Sequence, residues 1–156
     1  IYADFTAESV EHRILFTELM KYGGLTALPL GALVAVAFLI SGKAEKSVKH
    51  LKSTLFCSMA LFATGGVIGF LIEGVNVVIP AHYHGSIVGV TLSFMGLTYL
   101  LLPQFGFGKP QGKMVNLQPF VYGGGQLMHI IGLAWSGGYG VQRKTASKLS
   151  RFIKKN

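Results

Sequence analysis

Four stretches of this sequence carry no Asp, Glu, Lys or Arg at all: Tyr22 to Gly42, Ser53 to Ile72, Gly74 to Gly108 and Met114 to Gln142. Crossing a hydrocarbon core as a helix takes ~20 residues, and each stretch is long enough to do so. With 51% hydrophobic residues, only 13% charged and a mean hydropathy of +0.51, the composition lies outside the soluble range. The sequence therefore predicts an all-α fold, an integral membrane bundle of four transmembrane helices at about residues 22–41, 53–72, 79–102 and 117–136. One membrane domain over residues 1–146 and a basic C-terminal tail over 147–156 are expected, with no internal repeat and no second domain.

Ahead of the first span, "AESVEHRILFTELMKY" sets Val10 and Ile14 in a helical rhythm with Glu8, Glu11, Arg13 and Glu18 between the apolar positions. That is the pattern of an N-terminal amphipathic segment lying along the interface. The polar opening "IYADFTAESVEHR" excludes a secretory signal, and the missing initiator Met points to processing or an incomplete chain. Pro29 inside the first span frees a carbonyl that a neighbouring helix or a local adjustment must satisfy. Pro80 suits the first turn of the third span, where its missing N–H would be unpaired anyway. Gly65/Gly69 and Gly85/Gly89 form small-xxx-small strips that let helices approach closely; packing within the chain is the plainer reading of such glycines, and membership of a larger assembly is expected besides. The lone Cys57 offers no disulfide, no CxxCH haem attachment and no zinc or iron–sulfur ligand set, and leaves the redox compartment open.

The third span opens with "PAHYHGSIVG", which places His82 and His84 two residues apart. In a helix such residues are separated by roughly 200° of rotation and only ~3 Å of rise, so they face nearly opposite sides at one depth. One metal held jointly is disfavoured, because histidines that share a metal on a helix stand three or four apart. Two partners, one on each flank, suit this geometry, and neutral imidazole is a good axial ligand for haem iron. The competing reading keeps both histidines in the interface, bonded to water, lipid head groups or backbone carbonyls.

The segment "VIPAHYHGSIVGVTLSFMGLTYLLLPQFG" resembles the helix of the heme-copper oxidase catalytic subunit that carries an A-H-[FY]-H signature and ends in an aromatic, a proline and a glycine. "FATGGVIGFLI" is similar to that family's preceding helix, and "GGGQLMHIIGLAWSGGYGVQRK" to its following helix and exit. The resemblance covers about residues 51 to 146, in the family's order. It implies that His82 is the axial ligand of a high-spin haem and His84 an axial ligand of a low-spin haem. It further implies that Arg143 and Lys144 meet the haem propionates, although "YGVQRK" has a longer approach than the family's Pro-Arg-Arg. His129 matches a position that is not a haem ligand, and a polar packing role is expected of it.

The family's copper ligands and its second low-spin haem histidine belong to earlier helices, which this sequence lacks. The remaining histidines are His12 in the lead-in and His50 in the lysine-rich linker "KAEKSVKHLK". Copper is therefore not expected from this chain alone, nor is reduction of oxygen or nitric oxide. The expected role is a haem-binding subunit of a respiratory electron-transfer complex in a bacterial inner membrane. Other membrane subunits are the expected partners: either one of them supplies the remaining ligands, as in a split catalytic subunit, or the fragment is reused as a haem-holding subunit of another complex. The alternative is a haem-free structural subunit that packs against a larger membrane complex through its glycine strips.

Orientation is not decided by charge, since Arg13, Lys21 and six tail residues on one side face six lysines on the other. The resemblance places the histidine end on the outer side, whereas a cytoplasmic tail bound to anionic lipid, at about 1 kcal/mol per basic residue, would invert the protein. The net charge of +8 lies in short membrane-flanking segments, so no nucleic-acid partner is expected. Glu73 beside the histidine turn is weighed as a proton-handling group against a snorkelling end residue. Tyr83 is expected to pack, and Tyr99 and Trp135 to anchor at the interface.

Overall fold

The computed structural model describes residues 4–42, 47–73 and 76–142. All regular structure among them is helical: α1 (Val10–Gly23), a 3-10 turn (Gly24–Ala27), α2 (Leu28–Ile40), α3 (Lys49–Phe70), α4 (Val78–Leu101), a 3-10 turn (Leu102–Phe105) and α5 (Lys113–Gly138). Three helical runs are long and apolar enough to cross a membrane: Val10–Ile40, Lys49–Phe70 and Val78–Phe105. The 26-residue α5 is free of charge after Lys113 but diluted by glycines and by Asn116, Gln118, Gln126 and His129, and it is not among the three.

Backbone contacts divide the chain into two compact units, Ile1–Lys43 and Ala44–Asn156. In the first, the expected lead-in and first span form one helical run that starts at Val10. Ser9 caps it, with extended backbone and a side-chain oxygen that accepts the His12 N–H at 3.1 Å, and Glu11 and Lys21 sit at the ends where the helix dipole favours them. Pro29 explains the 3-10 turn in the middle. It cannot donate to the carbonyl of Leu25, and that carbonyl takes the Leu28 N–H instead. The proline thus falls in the first turn of α2, where it is harmless.

In the second unit α3, α4 and α5 all pack on one another. Each contributes to a core in which Leu61, Leu92 and Ile130 are almost fully buried, with Cys57 and Val88 beside them. A second layer of Ile68, Val78 and Ala81, backed by Leu133 and Ala134, lies nearer the α3–α4 turn. The close approach comes from glycine. A Cβ on Gly65 would lie 2.5 Å from the Ser86 backbone nitrogen, and one on Gly89 2.8 Å from that of Phe62. Both strips are therefore spent on the α3–α4 contact, the internal packing that is the plainer reading of such glycines, and neither is the face through which a structural subunit would dock.

Small and polar residues line the inside, where Ser58 donates to the Gly89 carbonyl at 2.7 Å and shares a 2.6 Å bond with Ser93. Large apolar side chains such as Phe56, Phe62, Val67, Ile87, Phe94 and Ile131 are exposed. Helix ends follow local chemistry. Gly106, at φ 83°, closes α4 and its 3-10 extension, with its N–H on the Pro103 carbonyl and the Phe107 N–H on that of Leu102. α5 starts at Lys113, one turn before the expected residue 117, and absorbs the fully buried Pro119 in its interior.

Candidate functional site

The site is one end of the three-helix unit, where the C-terminus of α3, the N-terminus of α4 and the C-terminus of α5 meet. Asn76 prepares the start of α4: its side-chain oxygen accepts the Val78 N–H at 3.0 Å while its amide donates to the Glu73 carbonyl. The Val77 N–H donates to the Val141 carbonyl at 3.1 Å, and Asn76 and Gln142 form an antiparallel bridge. The turn before the histidines is thereby sewn to the exit of α5. Arg143 and Lys144, the expected propionate partners, lie outside the described residues, as does the tail.

His82 and His84 leave α4 toward different helices. The His82 ring is half-buried against α3, its Nδ1 2.7 Å from the Gly65 carbonyl oxygen. A carbonyl only accepts, so Nδ1 carries the hydrogen, and in the neutral ring Nε2 is left with its lone pair free. The ring fits because Gly69 has no side chain: a Cβ there would lie 2.7 Å from Nδ1. The His84 ring, also half-buried, stands against α5, with its centroid 5.3 Å from that of His129 and the planes 85° apart. Tyr83 packs on it from the same helix at 4.8 Å. The separation onto two flanks is the geometry that two-residue spacing dictates.

Among the described residues no group of three or more His, Cys, Asp or Glu gathers around a point. The two imidazoles instead suit metals that need one protein ligand per face, as an axially ligated haem does. Glu73 is exposed at the turn. Trp135 and Tyr139, both exposed with ring centroids 6.0 Å apart, mark the same end of the unit.

Residues at the other end form a cluster that sequence reasoning did not assemble. His50 belongs to the first turn of α3 rather than to a linker, and it is buried with its ring edge-on to Tyr99 at 5.5 Å. The Tyr99 hydroxyl donates to Gln118 Oε1 at 2.6 Å, which joins α3, α4 and α5 there. Tyr99 is thus an inter-helix contact and not only an anchor. A groove of about 550 Å³ between α4 and α5, lined by Met95, Met114, Leu117 and Val121, is mainly apolar and gathers no catalytic set.

Similarity to known proteins is confined to part of the chain. An uncharacterized protein of Rickettsia prowazekii is 38% identical over an alignment of 110 positions that covers 64% of this chain and 22% of that protein. An uncharacterized protein of Aquifex aeolicus is 31% identical over 78 residues, 50% of this chain and 20% of that protein. The chain thus spans about a fifth of the length of the curated relatives it matches. No family model and no solved structure matches it.

Proposed function

We propose that this chain is a haem-binding part of a respiratory electron-transfer protein in a bacterial membrane, similar to the C-terminal helices of a heme-copper oxidase catalytic subunit. On this reading α5 is the fourth transmembrane helix, His82 is the axial ligand of one haem and His84 of another, and Arg143 and Lys144 meet propionates. The observation that carries it is the 2.7 Å contact between His82 Nδ1 and the Gly65 carbonyl. A carbonyl that accepts from one ring nitrogen fixes the tautomer and direction of a metal-binding histidine and raises the basicity of the other nitrogen.

The membrane part of the reading draws on the distribution of side chains. Large apolar groups outside, with glycine, serine and threonine set among the aliphatic side chains inside, suit a hydrocarbon solvent, in which association comes from close packing and interhelical hydrogen bonds. In water the same surface would be an extended sticky patch.

When bound, haem supplies reversible one-electron chemistry of iron. The chain's own residues orient two imidazoles and hold them on opposite flanks of one helix at nearly the same depth. The remaining ligands come from another segment or chain, so this piece is not catalytic alone.

The test is an oxidised and a dithionite-reduced absorption spectrum of the complete native protein and of H82A and H84A. The expected result is a Soret band in the native protein, with loss of the low-spin signal in H84A alone and of the high-spin signal in H82A. No haem signal dependent on either histidine would overturn the reading and leave a structural membrane subunit.

A further inference from the structure

We propose that His129 is a positioning residue for the His84 imidazole, setting the plane in which that ring meets its iron. The inference rests on the haem reading above and deepens it.

The two histidines are fixed by different means. His82 has a hydrogen bond to Gly65 that holds its ring plane. Among the described residues no hydrogen bond engages the His84 ring, so contacts between rings must do that work. Tyr83 supplies one from the adjacent position on α4. His129 supplies the other from a separate helix, at 5.3 Å and 85°, the edge-to-face arrangement that aromatic rings prefer. Its helix is firmly seated at this level. The neighbouring Ile130 is fully buried in the three-helix core, and Gly137 lies flat against the Val78 backbone, where a Cβ would have no room. Rotation of the His84 ring about its bond to Cβ therefore runs into a ring carried by α5. Outer-shell partners of metal-bound histidines usually orient them through a hydrogen bond. Here an edge-to-face contact takes that place.

His129 itself is exposed, so its replacement removes little packing from the core. Its effect on His84 can then be measured apart from folding. The low-spin ferric signal in electron paramagnetic resonance depends on the planes of the axial imidazoles, which makes it the direct readout.

The experiment compares the complete native protein with H129A, H129F and H84A, measuring haem content by pyridine haemochrome and the low-spin signal at low temperature. The expected result is that H129A keeps its haem but shifts or broadens the largest g value, and that H129F, which restores a ring edge at the same place, returns it toward the native position. An H129A signal that superimposes on the native one overturns the proposal. So does loss of haem in H129A that H129F fails to rescue, because a ring would then not be what matters. If the native protein has no low-spin signal that disappears in H84A, the haem reading has failed, and that outcome is seen in H84A before His129 is considered.

Discussion

Gly69 leaves the space that the His82 ring fills: a Cβ at that position would lie 2.7 Å from Nδ1 and 2.8 Å from Cε1. G69A should therefore push the ring off the Gly65 carbonyl. Loss of an outer-shell partner typically weakens metal binding about 10- to 100-fold, so haem retained on His82 should fall by that order while helix content is kept. G66A, whose Cβ would meet nothing within 4 Å, should behave as the native protein. Haem content of the two purified variants makes the comparison.

Gly65 and Gly89 face backbone atoms, which cannot give way as a side chain can. G65A and G89A should each cost about 1–3 kcal/mol, the usual range for overpacking, read as a lower denaturant midpoint in detergent micelles. G124A points into open space and should cost nothing by the same measurement. Equal behaviour of all three would mean that α3 and α4 do not approach as described.

Ser58 gives its hydroxyl hydrogen to the Gly89 carbonyl and so can only accept from Ser93. Interhelical hydrogen bonds inside membranes average about 0.6 kcal/mol. S93A should lose about that much and S58A, which removes both bonds, about twice as much, and the double variant should lose less than their sum. Strict additivity in the double-mutant cycle would show that the two hydroxyls do not meet.

The bundle reading requires α5 to cross. Single cysteines placed at Met114 and Tyr139 in a C57S background should be labelled by an impermeant reagent from opposite faces of the membrane. Labelling of both from one face would make α5 a helix that lies on the membrane and would leave three spans.

Much of this architecture can be read along the chain because charge and proline mark the ends of its helices. α3 at Lys49–Phe70 and α4 at Val78–Leu101 lie within a few residues of the expected 53–72 and 79–102. The opposed directions of His82 and His84 follow from helical rotation alone. What escaped has one cause, that contacts between helices depend on a register no single strand of sequence contains. Lysines around His50 suggest a solvated linker, yet Tyr99 from the far end of α4 covers it. The glycine strips announce a close approach but not its partner. His129 gives no sign of His84 until α4 and α5 are side by side. The charges between Glu8 and Lys21 suggest an amphipathic lead-in, and the helix that starts there runs on into the first span.

The seam between Asn76–Val77 and Val141–Gln142 bears on the order in which the molecule is made. α3 and α4 are adjacent in the chain and can pair as soon as both have been synthesised. The seam needs the last turn of α5, which leaves the ribosome much later. Until then the end that carries His82 and His84 has, within this unit, only the walls that α3 and α4 provide. Synthesis of α5 completes it. On the haem reading proposed above, ribosome-arrested chains ending before residue 113 should take up haem faster than chains extended past residue 142, with translation itself acting as the latch.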